Sequence, residues 1–360
     1  MQKMTSRERV KTVLHGKIPD RVPLIEFLYS KKLYKEIIGR IPEYYSSEDV
    51  VDCAYELGID IAPIPIGGFS GVRNDAIEKN EYIDEWGITW RKPQGDTSFG
   101  SDVPVKYPLK NREDWNNYLF PDINKNKENR LKEIKVALKK AKENNIAVFG
   151  TIRGPFTPTW FLFGFTNFSY LLYEDPQLID EIMEAATNFY VQGGKMMAEE
   201  GVDAILFADD YGATNAPLIS PDSFKKHVIP QLNRMIKELK VTGIPVIMHS
   251  DGNINKLLPD IVKTGISGYH PMERNAGMRI EELKKYYGNK ITLIGNVDNK
   301  TVLVNGSKED VIAQTRECLE IAAPGGRYIL GSDHSVHDDM PNENIFAMIE
   351  AGKKYGKYSK

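Results

Sequence analysis

One stretch of the chain decides the fold class, and it reads VDAILFADDYGATNAPLISPDSFKKHVIPQLNRMIKELKVTGIPVIMHS (202–250). Its two ends, 202–208 and 244–250, are near-continuous apolar runs, as in strands that are buried on both faces. The segment between them, 221–240, spaces its apolar residues as an amphipathic helix does. A strand, a helix and a second strand in this order predict a parallel βαβ unit.

The same alternation extends in both directions and gives a set of candidate strands. They are VPLIEF (22–27), IDIAPIP (59–65), IAVFGTI (146–152), VDAILFA (202–208), IPVIMHS (244–250), ISGYHP (266–271), ITLIGNV (291–297) and RYILGS (327–332). Strands that alternate with helices about eight times predict a closed (β/α)8 TIM barrel, which typically takes ~250 residues. An open, doubly wound sheet is the alternative.

The chain has 360 residues, more than a minimal barrel needs, and the excess falls in two places. We expect a helical lead over 1–20 and an insertion over 66–144, after the second strand. The insertion should contain a hairpin over 81–92 and a Lys-rich helix. The whole chain, 1–360, is therefore predicted to be a single barrel domain.

Composition excludes several classes of protein. The formal net charge is −3 and no polybasic run occurs, so neither nucleic acid nor an anionic membrane is an expected partner. Cys53 and Cys318 are the only cysteines, too few for a disulfide framework or a thiolate cage. The polar start and the absence of a long apolar run predict a cytoplasmic globular protein. No Walker loop, GxGxxG, HExxH or GxSxG occurs, so nucleotide-dependent and serine-hydrolase functions lose support.

Polar side chains follow nearly every candidate strand, where the active sites of barrels gather. They are Glu26, Arg153, Asp209, Asp210, His249, Asp251, His270, Glu273, Asn296, Asp298, Asp333 and His334. Ordinary turn chemistry is the alternative explanation. Of the neighbours Asp209 and Asp210, we expect one to face the site and the other to bind backbone amides. Arg153 would place a cation over the barrel mouth.

Histidines and carboxylates in this set suggest a metal site. On an extended backbone His249 and Asp251 point the same way and could share a cation; alternatively, Asp251 caps the following helix. The segment 333–339 is the densest cluster of ligand-type side chains, although a solvated loop would have the same composition. Glu273 could complete the set, or it could pair with Arg274 at the surface.

Several segments resemble the superfamily of uroporphyrinogen decarboxylases and corrinoid-dependent methyltransferases. They are RERVKTVLHGKIPDRVPLIEF (7–27), RGPFTPTWFLFG (153–164), FADDYGATNAPLISPDSFKKHVIPQL (207–232), HSDGNI (249–254), LIGNVDNKTVL (293–303), ILGSDH (329–334) and PNENIFAMIEA (341–351). The last four, in this order and spacing, carry most of the specificity. The resemblance runs nearly end to end and implies a (β/α)8 barrel with its site at the strand C-termini.

The resemblance also implies a zinc site. The methyltransferase branch holds zinc with His-x-Cys and a further Cys seven residues before the Pro of a P-x-E-N segment. Here His249 and Asp251 occupy the first motif, and His334 lies seven residues before Pro341. Glu273 lies near the acidic fourth ligand of some relatives. Both thiolates are thus replaced, which makes the expected site harder and less electron-rich.

A harder metal suits polarising an ether oxygen, so the resemblance predicts a zinc-dependent methyltransferase. Its methyl donor would be a small molecule such as an aryl methyl ether. The acceptor would be cobalamin on a separate corrinoid protein, because this chain lacks the Asp-x-His-x-x-Gly signature. A homodimer is a possible assembly. The residues expected to move protons or orient the donor are Asp210, Tyr211 and His337. Those expected to contact it are Glu26, Arg153, Trp160, Phe163 and Asp209.

Two alternatives remain at this point. A uroporphyrinogen-decarboxylase-type carboxy-lyase would need a basic cleft for a substrate with eight acidic side chains, yet the corresponding stretch, 26–35, contains no arginine. A non-catalytic binding barrel would keep its ligand after His249→Ala and His334→Ala. A methyltransferase would lose turnover in both variants.

Overall fold

The computed structural model describes residues 3–42, 46–66, 73–78, 80–92 and 102–358, with the backbone alone described for 73–78. Seven strands form a curled parallel sheet. They are β1 (Ile61–Pro65), β6 (Ala147–Arg153), β7 (Ala204–Ala208), β8 (Val246–His249), β9 (Gly268–His270), β10 (Thr292–Ile294) and β11 (Tyr328–Ile329). Their order in the sheet follows their order in the chain. This sheet has no switch point, which excludes the doubly wound alternative.

The segment 22–27, predicted as the first strand, lies beside both edges of the sheet. Leu24 forms an isolated parallel bridge with Leu330, and Ile25 forms one with Ile61. The Ile25 amide donates to the Leu330 carbonyl over 3.0 Å, and the Asp60 amide donates to the Leu24 carbonyl over 2.9 Å. The segment therefore contacts the two edge strands through single bridges rather than as a regular strand.

Helices cover the sheet and connect its strands. They are α1 (Ser6–Leu14), α2 (Lys31–Ile38), α3 (Ser47–Leu57), α4 (Arg112–Asn117), α5 (Lys127–Asn144), α6 (Phe156–Phe163), α7 (Phe165–Glu174), α8 (Pro176–Glu200), α9 (Pro221–Ser223), α10 (Ile229–Lys240), α11 (Leu258–Lys263), α12 (Ile280–Tyr287), α13 (Lys308–Ala322) and α14 (Asn342–Tyr355). Wider π turns occupy Phe224–Val228, between α9 and α10, and Asn299–Leu303. A 3-10 turn covers Arg274–Ala276.

An antiparallel sheet lies between β1 and α5 in the chain. Its strands, in spatial order, are β2 (Arg73–Glu78), β3 (Glu81–Asp84), β4 (Thr89–Arg91) and β5 (Val103–Lys106). The hairpin predicted over 81–92 thus corresponds to the pair β3–β4. Buried Asp84 fixes its turn, because its carboxylate accepts the amides of Trp86 and Ile88, each over 2.9 Å.

Two apolar clusters form the core because successive residues of a strand face opposite sides. One side packs against the surrounding helices, as Val148 and Ile205 do. The other side fills the concave interior, as Phe149 and Leu206 do. Helix α1 adds side chains to this interior cluster, Val10 among them. The predicted helical lead therefore packs into the interior cluster of the curled sheet.

A buried ion-pair network stands at the amino-terminal edge of the sheet. The fully buried Asp60, just before β1, accepts from Arg9 Nη1 and from Arg21 Nη1, each over 2.7 Å. It also accepts the Leu24 amide over 2.8 Å. Asp60 thus ties three segments together at the edge opposite the carboxyl ends of the strands. Among the residues that the structure describes, no helix has the length and apolar character required to cross a membrane.

Candidate metal centre

Two histidines end neighbouring strands at the carboxyl edge of the sheet. His249 closes β8 and His270 closes β9, and the two residues are partners in the parallel register. Their Nδ1 atoms lie 2.7 Å apart, so one imidazole donates a hydrogen bond to the other. His270 is almost fully buried, and burial holds its pKa well below the usual value, so it is neutral. His249 Nε2 is left to face the neighbouring carboxylates.

Two carboxylates lie beside His249 Nε2. Asp251 Oδ2 is 3.5 Å away and Asp210 Oδ1 is 3.8 Å away. One ligand atom from each of these three residues lies within 4.8 Å of the other two. Ligands about 2.0–2.1 Å from a tetrahedral ion are about 3.3 Å apart, so a small closing movement would give metal geometry.

Asp251 carries the observation that fits a cation best. Its Oδ1 atom is buried and has no hydrogen-bond partner within the described parts of the chain. A carboxylate oxygen left in this state is costly unless a cation or a proton satisfies it. Burial opposes the charge of Asp251, but His249 and His334 outweigh it and hold its pKa well below the usual range. The oxygen is therefore ionised and available to a ligand.

His334 approaches the same carboxylate from the loop after β11. Its Nε2 atom lies 3.2 Å from Asp251 Oδ2, and its Nδ1 is 2.7 Å from Ser335 Oγ. Its side chain is 47% exposed, so it has room to turn toward an ion. His334 therefore joins the carboxylate end of the cluster.

A cavity of about 200 Å³ opens beside these histidines. His249 and His334 form part of its lining, and most of the remaining wall is apolar. The aromatic lining residues are Phe27, Tyr29, Trp86, Trp90, Phe161, Phe189 and Tyr190. Trp86 and Trp90 belong to the hairpin of the insertion. The strand ends thus supply the polar end of the cavity, and the insertion and helices supply aromatic walls.

Charged groups in this cavity are mostly matched. Asp84 accepts Trp90 Nε1–H over 2.8 Å as well as the two amides of its own turn. Arg130 forms a two-pronged pair with Glu85. Arg153 ends β6, and its guanidinium carbon lies 5.0 Å from the centre of the Phe161 ring. The predicted cation at the mouth is therefore in the lining.

Asp209 and Asp210 both accept backbone amides, Asp210 Oδ1 that of Asp251 over 3.1 Å, but Asp210 lies beside His249. The fully buried Asp209 accepts the amides of Phe156 over 2.9 Å and Thr157 over 2.5 Å, at the start of α6. Burial raises the pKa of Asp209 to about 6. Tyr211, the third residue of the run, is buried and packs its ring 4.8 Å from Phe224. Asp210 is the member of this run that joins the candidate metal cluster.

Two other predicted residues are bound within the structure. Glu26 is buried and accepts the amide of Ser332 over 2.5 Å and its hydroxyl over 2.8 Å. Burial raises the pKa of Glu26 to about 8. Glu273 accepts the Gly252 amide over 2.9 Å and Lys300 Nζ over 2.7 Å, so it supports the loop that carries Asp251.

Trp160, Phe163 and His337 belong neither to the cavity lining nor to the candidate metal cluster. On α6, Phe161 faces the cavity, whereas Trp160 and Phe163 are packed elsewhere in the aromatic core. A helix turns by about 100° per residue, so neighbours on α6 cannot share one face. His337 Nδ1 lies 3.7 Å from Asp339 Oδ2, in the loop beyond His334.

The prediction missed His270 as a partner of His249, and it missed the hairpin tryptophans. His270 gave a usable signal, because it ends the strand next to the one that His249 ends. Trp86 and Trp90 gave none, since nothing in their local sequence indicates which way the insertion folds.

Comparison with known proteins identifies the family. The family model described as "Uroporphyrinogen decarboxylase (URO-D)" matches residues 98–355. A methylated-thiol–coenzyme M methyltransferase of Methanosarcina mazei is 28% identical over 217 residues, which are 60% of this chain and 56% of that protein. A methylcobamide:CoM methyltransferase of Methanosarcina acetivorans is 24% identical over 99% of both chains.

The fold is similar to that of a solved methyltransferase from Methanosarcina mazei. That structure has a TM-score of 0.77 and 19% sequence identity, and the match covers 98% of this chain and 99% of the other. The resemblance predicted from the sequence motifs is thus confirmed, because the family model spans well over half of the chain. The chain belongs to the uroporphyrinogen decarboxylase family.

Proposed function

We propose that this protein is a metal-dependent methyltransferase that moves a methyl group from a small donor to a cobalamin carried by a separate corrinoid protein. The observation that carries the proposal is the buried, unpartnered Asp251 Oδ1 beside His249 and Asp210, next to an aromatic cavity. The similarity to methylcobamide:CoM methyltransferases over nearly the full length supports the type of reaction.

The ligands of the metal are His249, Asp251 and Asp210, with His334 as the fourth. Imidazole and carboxylate are ligands that zinc accepts in proteins. When bound, zinc would act as a Lewis acid on the oxygen of an ether or alcohol. Glu273 holds the Gly252 amide and so fixes the turn beside Asp251. We assign it to positioning rather than to the ion.

The chain's own residues supply the remaining requirements of methyl transfer. The apolar walls keep water away from the donor, which favours a bound aryl methyl ether over a solvated one. Asp210 has a pKa raised by burial and by Asp251. A carboxylate that binds an ion must be ionised, so the metal would stabilise the charged form of Asp210, and we assign Asp210 to orienting the donor rather than to carrying a proton. His337 and Tyr211 are not part of the metal cluster. We assign them to positioning the loops that carry His334 and Asp210.

We further infer that the segment 22–27 serves as an eighth strand, which makes the curled sheet a (β/α)8 barrel. Its bridges to Ile61 and Leu330 support this closure. A closed barrel would hold the ends of β8, β9 and β11 at fixed separations. The metal ligands would then be positioned before the ion binds.

The decarboxylase alternative has weaker support. A substrate with eight acidic side chains needs several free cations, whereas the described cavity lining offers Arg153 and the already paired Arg130. Asp60 is paired with Arg9 and Arg21 at the opposite edge of the sheet, so it does not face the cavity.

Metal content tests the proposal first. We expect about one zinc per chain in untagged protein, and loss of the metal in the His249→Ala/His334→Ala double variant. His15→Ala is the matched control, because His15 caps α1 near the amino-terminal edge and should leave the metal in place. If the purified protein holds no metal even after zinc is supplied, the metal-dependent mechanism is wrong.

Methyl transfer is the second test. The protein is mixed with a reduced corrinoid partner and a panel of methyl ethers, methylamines and methyl thiols, and methylcobalamin formation is followed by its absorbance. We expect transfer from at least one ether and none with the double variant. If no compound of the panel yields methylcobalamin, the methyltransferase proposal fails, and the decarboxylase and the binding barrel become the better hypotheses.

A further inference from the structure

Arg153 differs from the other charged side chains that line the cavity, because it has no counter-charge within the described structure. Asp84 is satisfied by three N–H donors, and Glu85 neutralises Arg130. The histidines at the polar end face Asp251. No ion pair or hydrogen bond joins Arg153 to any residue of the described ranges.

The surroundings of Arg153 leave its hydrogen-bonding edge open. The guanidinium carbon lies 5.0 Å from the centre of the Phe161 ring, a cation–π contact that uses none of the N–H donors in a hydrogen bond to the described residues. Arg153 is half-buried and lies in a wall that is mostly apolar, where the other charged groups have partners of their own. A guanidinium in such a place gains most from a planar oxyanion that accepts two parallel hydrogen bonds.

The cation stands within electrostatic reach of both parts of the cavity. Arg153 and His249 are both register partners of Ala208 in β7, and Arg153, His249 and Tyr190 all line the same cavity. A ligand that touches the metal cluster and the aromatic wall would therefore also lie near Arg153. The cavity of about 200 Å³ suits one substituted ring rather than a larger ligand.

From this arrangement we infer that the donor is an aromatic ether that carries an anionic group, such as a ring carboxylate, and that Arg153 binds this group. The inference rests on the proposed function and names its class of substrate. The ring packs among the aromatic walls, the carboxylate pairs with Arg153, and the ether oxygen faces His249. Arg153 is thus a specificity-determining residue.

Calorimetric binding tests the inference without any methyl transfer. The probes are 4-methoxybenzoate and its neutral isostere 4-methoxybenzamide, at pH 7, with the full-length metal-loaded protein. A charge-assisted pair predicts about 10- to 100-fold tighter binding of the benzoate. Arg153→Met keeps an apolar stem over Phe161 and should erase this preference, whereas Arg153→Lys should keep part of it.

The matched control is Arg234→Met, which removes one positive charge from a side chain that is 32% exposed on α10, away from the cavity lining. It should retain the full preference for the anion. Equal affinities for the two probes in the wild type, no binding of the benzoate, or a preference that survives Arg153→Met would each overturn the inference.

A parallel transfer assay separates this inference from the proposed function. If the benzoate binds through Arg153 but no donor yields methylcobalamin, the anion site stands and the methyltransferase proposal fails. If neutral and anionic ethers both react and Arg153→Met changes neither rate, methyl transfer stands and the anion site is wrong.

Discussion

At the scale of single residues, His270 controls how His249 can use its imidazole. The 2.7 Å contact between the two Nδ1 atoms occupies that nitrogen of His249 and leaves Nε2 toward Asp251. If His249 binds an ion through Nε2, its Nδ1–H must donate to His270. His270 is therefore a positioning residue, of the kind that usually orients metal-bound histidines.

Replacing His270 should loosen the metal without removing a ligand. We expect His270→Phe to weaken zinc affinity by about 10- to 100-fold, because His249 Nδ1–H loses its acceptor. Competition with a chromophoric chelator measures the affinity. His270→Gln keeps a side-chain acceptor and should lie close to the wild type. Equal zinc affinity in the wild type and His270→Phe would rule out this positioning role.

Glu26 should make stability depend on pH in an unusual direction. Burial raises its pKa from 4.5 to about 8, so the folded protein favours the protonated carboxyl. This contribution is complete below pH 4.5 and is lost as the pH rises through about 8. At about 1.4 kcal/mol per pKa unit, the full effect is on the order of 5 kcal/mol.

The test compares the wild type with Glu26→Gln by urea unfolding at pH 5 and pH 8.5. We expect the free energy of unfolding to fall more with pH in the wild type than in Glu26→Gln, which cannot ionise. Parallel pH profiles would show that Glu26 is ionised at little cost in the folded protein.

Local sequence predicted part of the site and not the rest. The two-residue spacing of His249 and Asp251 indicated that their side chains could lie close together, because alternate side chains of a strand share a side. In the structure Asp251 Oδ2 lies 3.5 Å from His249 Nε2. The same alternation explains why Asp209 faces the start of α6 while its neighbour Asp210 faces His249. The contact between His249 and His270 depends on strand register, which no single stretch of sequence specifies.

At the scale of elements, α6 depends on Asp209. This helix begins with the amides of Phe156 and Thr157, and both donate to the Asp209 carboxylate in a buried position. Phe161 and Pro158 then project from α6 into the cavity. One carboxylate therefore fixes both the start of the helix and the wall that it presents.

Removal of this cap should affect stability and binding together. Asp209→Ala leaves two buried amides without an acceptor, and we expect a loss of about 1–3 kcal/mol in the free energy of unfolding. Urea titration measures the loss, and calorimetry with an aryl ether should show weaker binding. Asp209→Asn keeps one acceptor and should lose less. An Asp209→Ala variant as stable as the wild type would contradict the capping role.

The sequence pattern predicted that elements exist but not which of their residues face the cavity or how their edges pair. The sequence analysis chose Trp160 and Phe163 from the aromatic run after β6, whereas Phe161 is the aromatic residue of α6 in the cavity lining. The segment 22–27 reads as a strand from its apolar composition. Its single bridges depend on how two distant edges, at Ile61 and Leu330, approach each other.

At the scale of the whole molecule, Asp60 joins α1, the segment 22–27 and β1 at the edge opposite the candidate site. Asp60→Asn would leave Arg9 and Arg21 short of a buried counter-charge, which typically costs 3–5 kcal/mol. We expect a loss of about this size in urea unfolding, with the metal content per folded chain unchanged. Asp260→Asn, which breaks the exposed pair with Lys263, should cost less than about 1 kcal/mol. Loss of metal in folded Asp60→Asn would show that the two edges are coupled.

The order of the strands was predictable, because each βαβ unit places the next parallel strand beside the last. The role of the insertion was not. Its hairpin was visible in the sequence over 81–92. Its packing against the cavity, however, depends on the contacts of Trp86 with Phe189 and Tyr190, about 100 residues later in the chain.

The hairpin that carries Trp86 and Trp90 and the strand ends form two structurally separate parts of one site. The strand ends hold the chemistry, and they are constrained by the register of the whole sheet. The hairpin is attached between β1 and α5 and touches none of the candidate ligands directly. Changes confined to the hairpin would therefore alter the cavity wall and leave the candidate ligands in place. A library randomised only within 81–92 would therefore vary the ligand that the cavity selects without changing the groups at the strand ends.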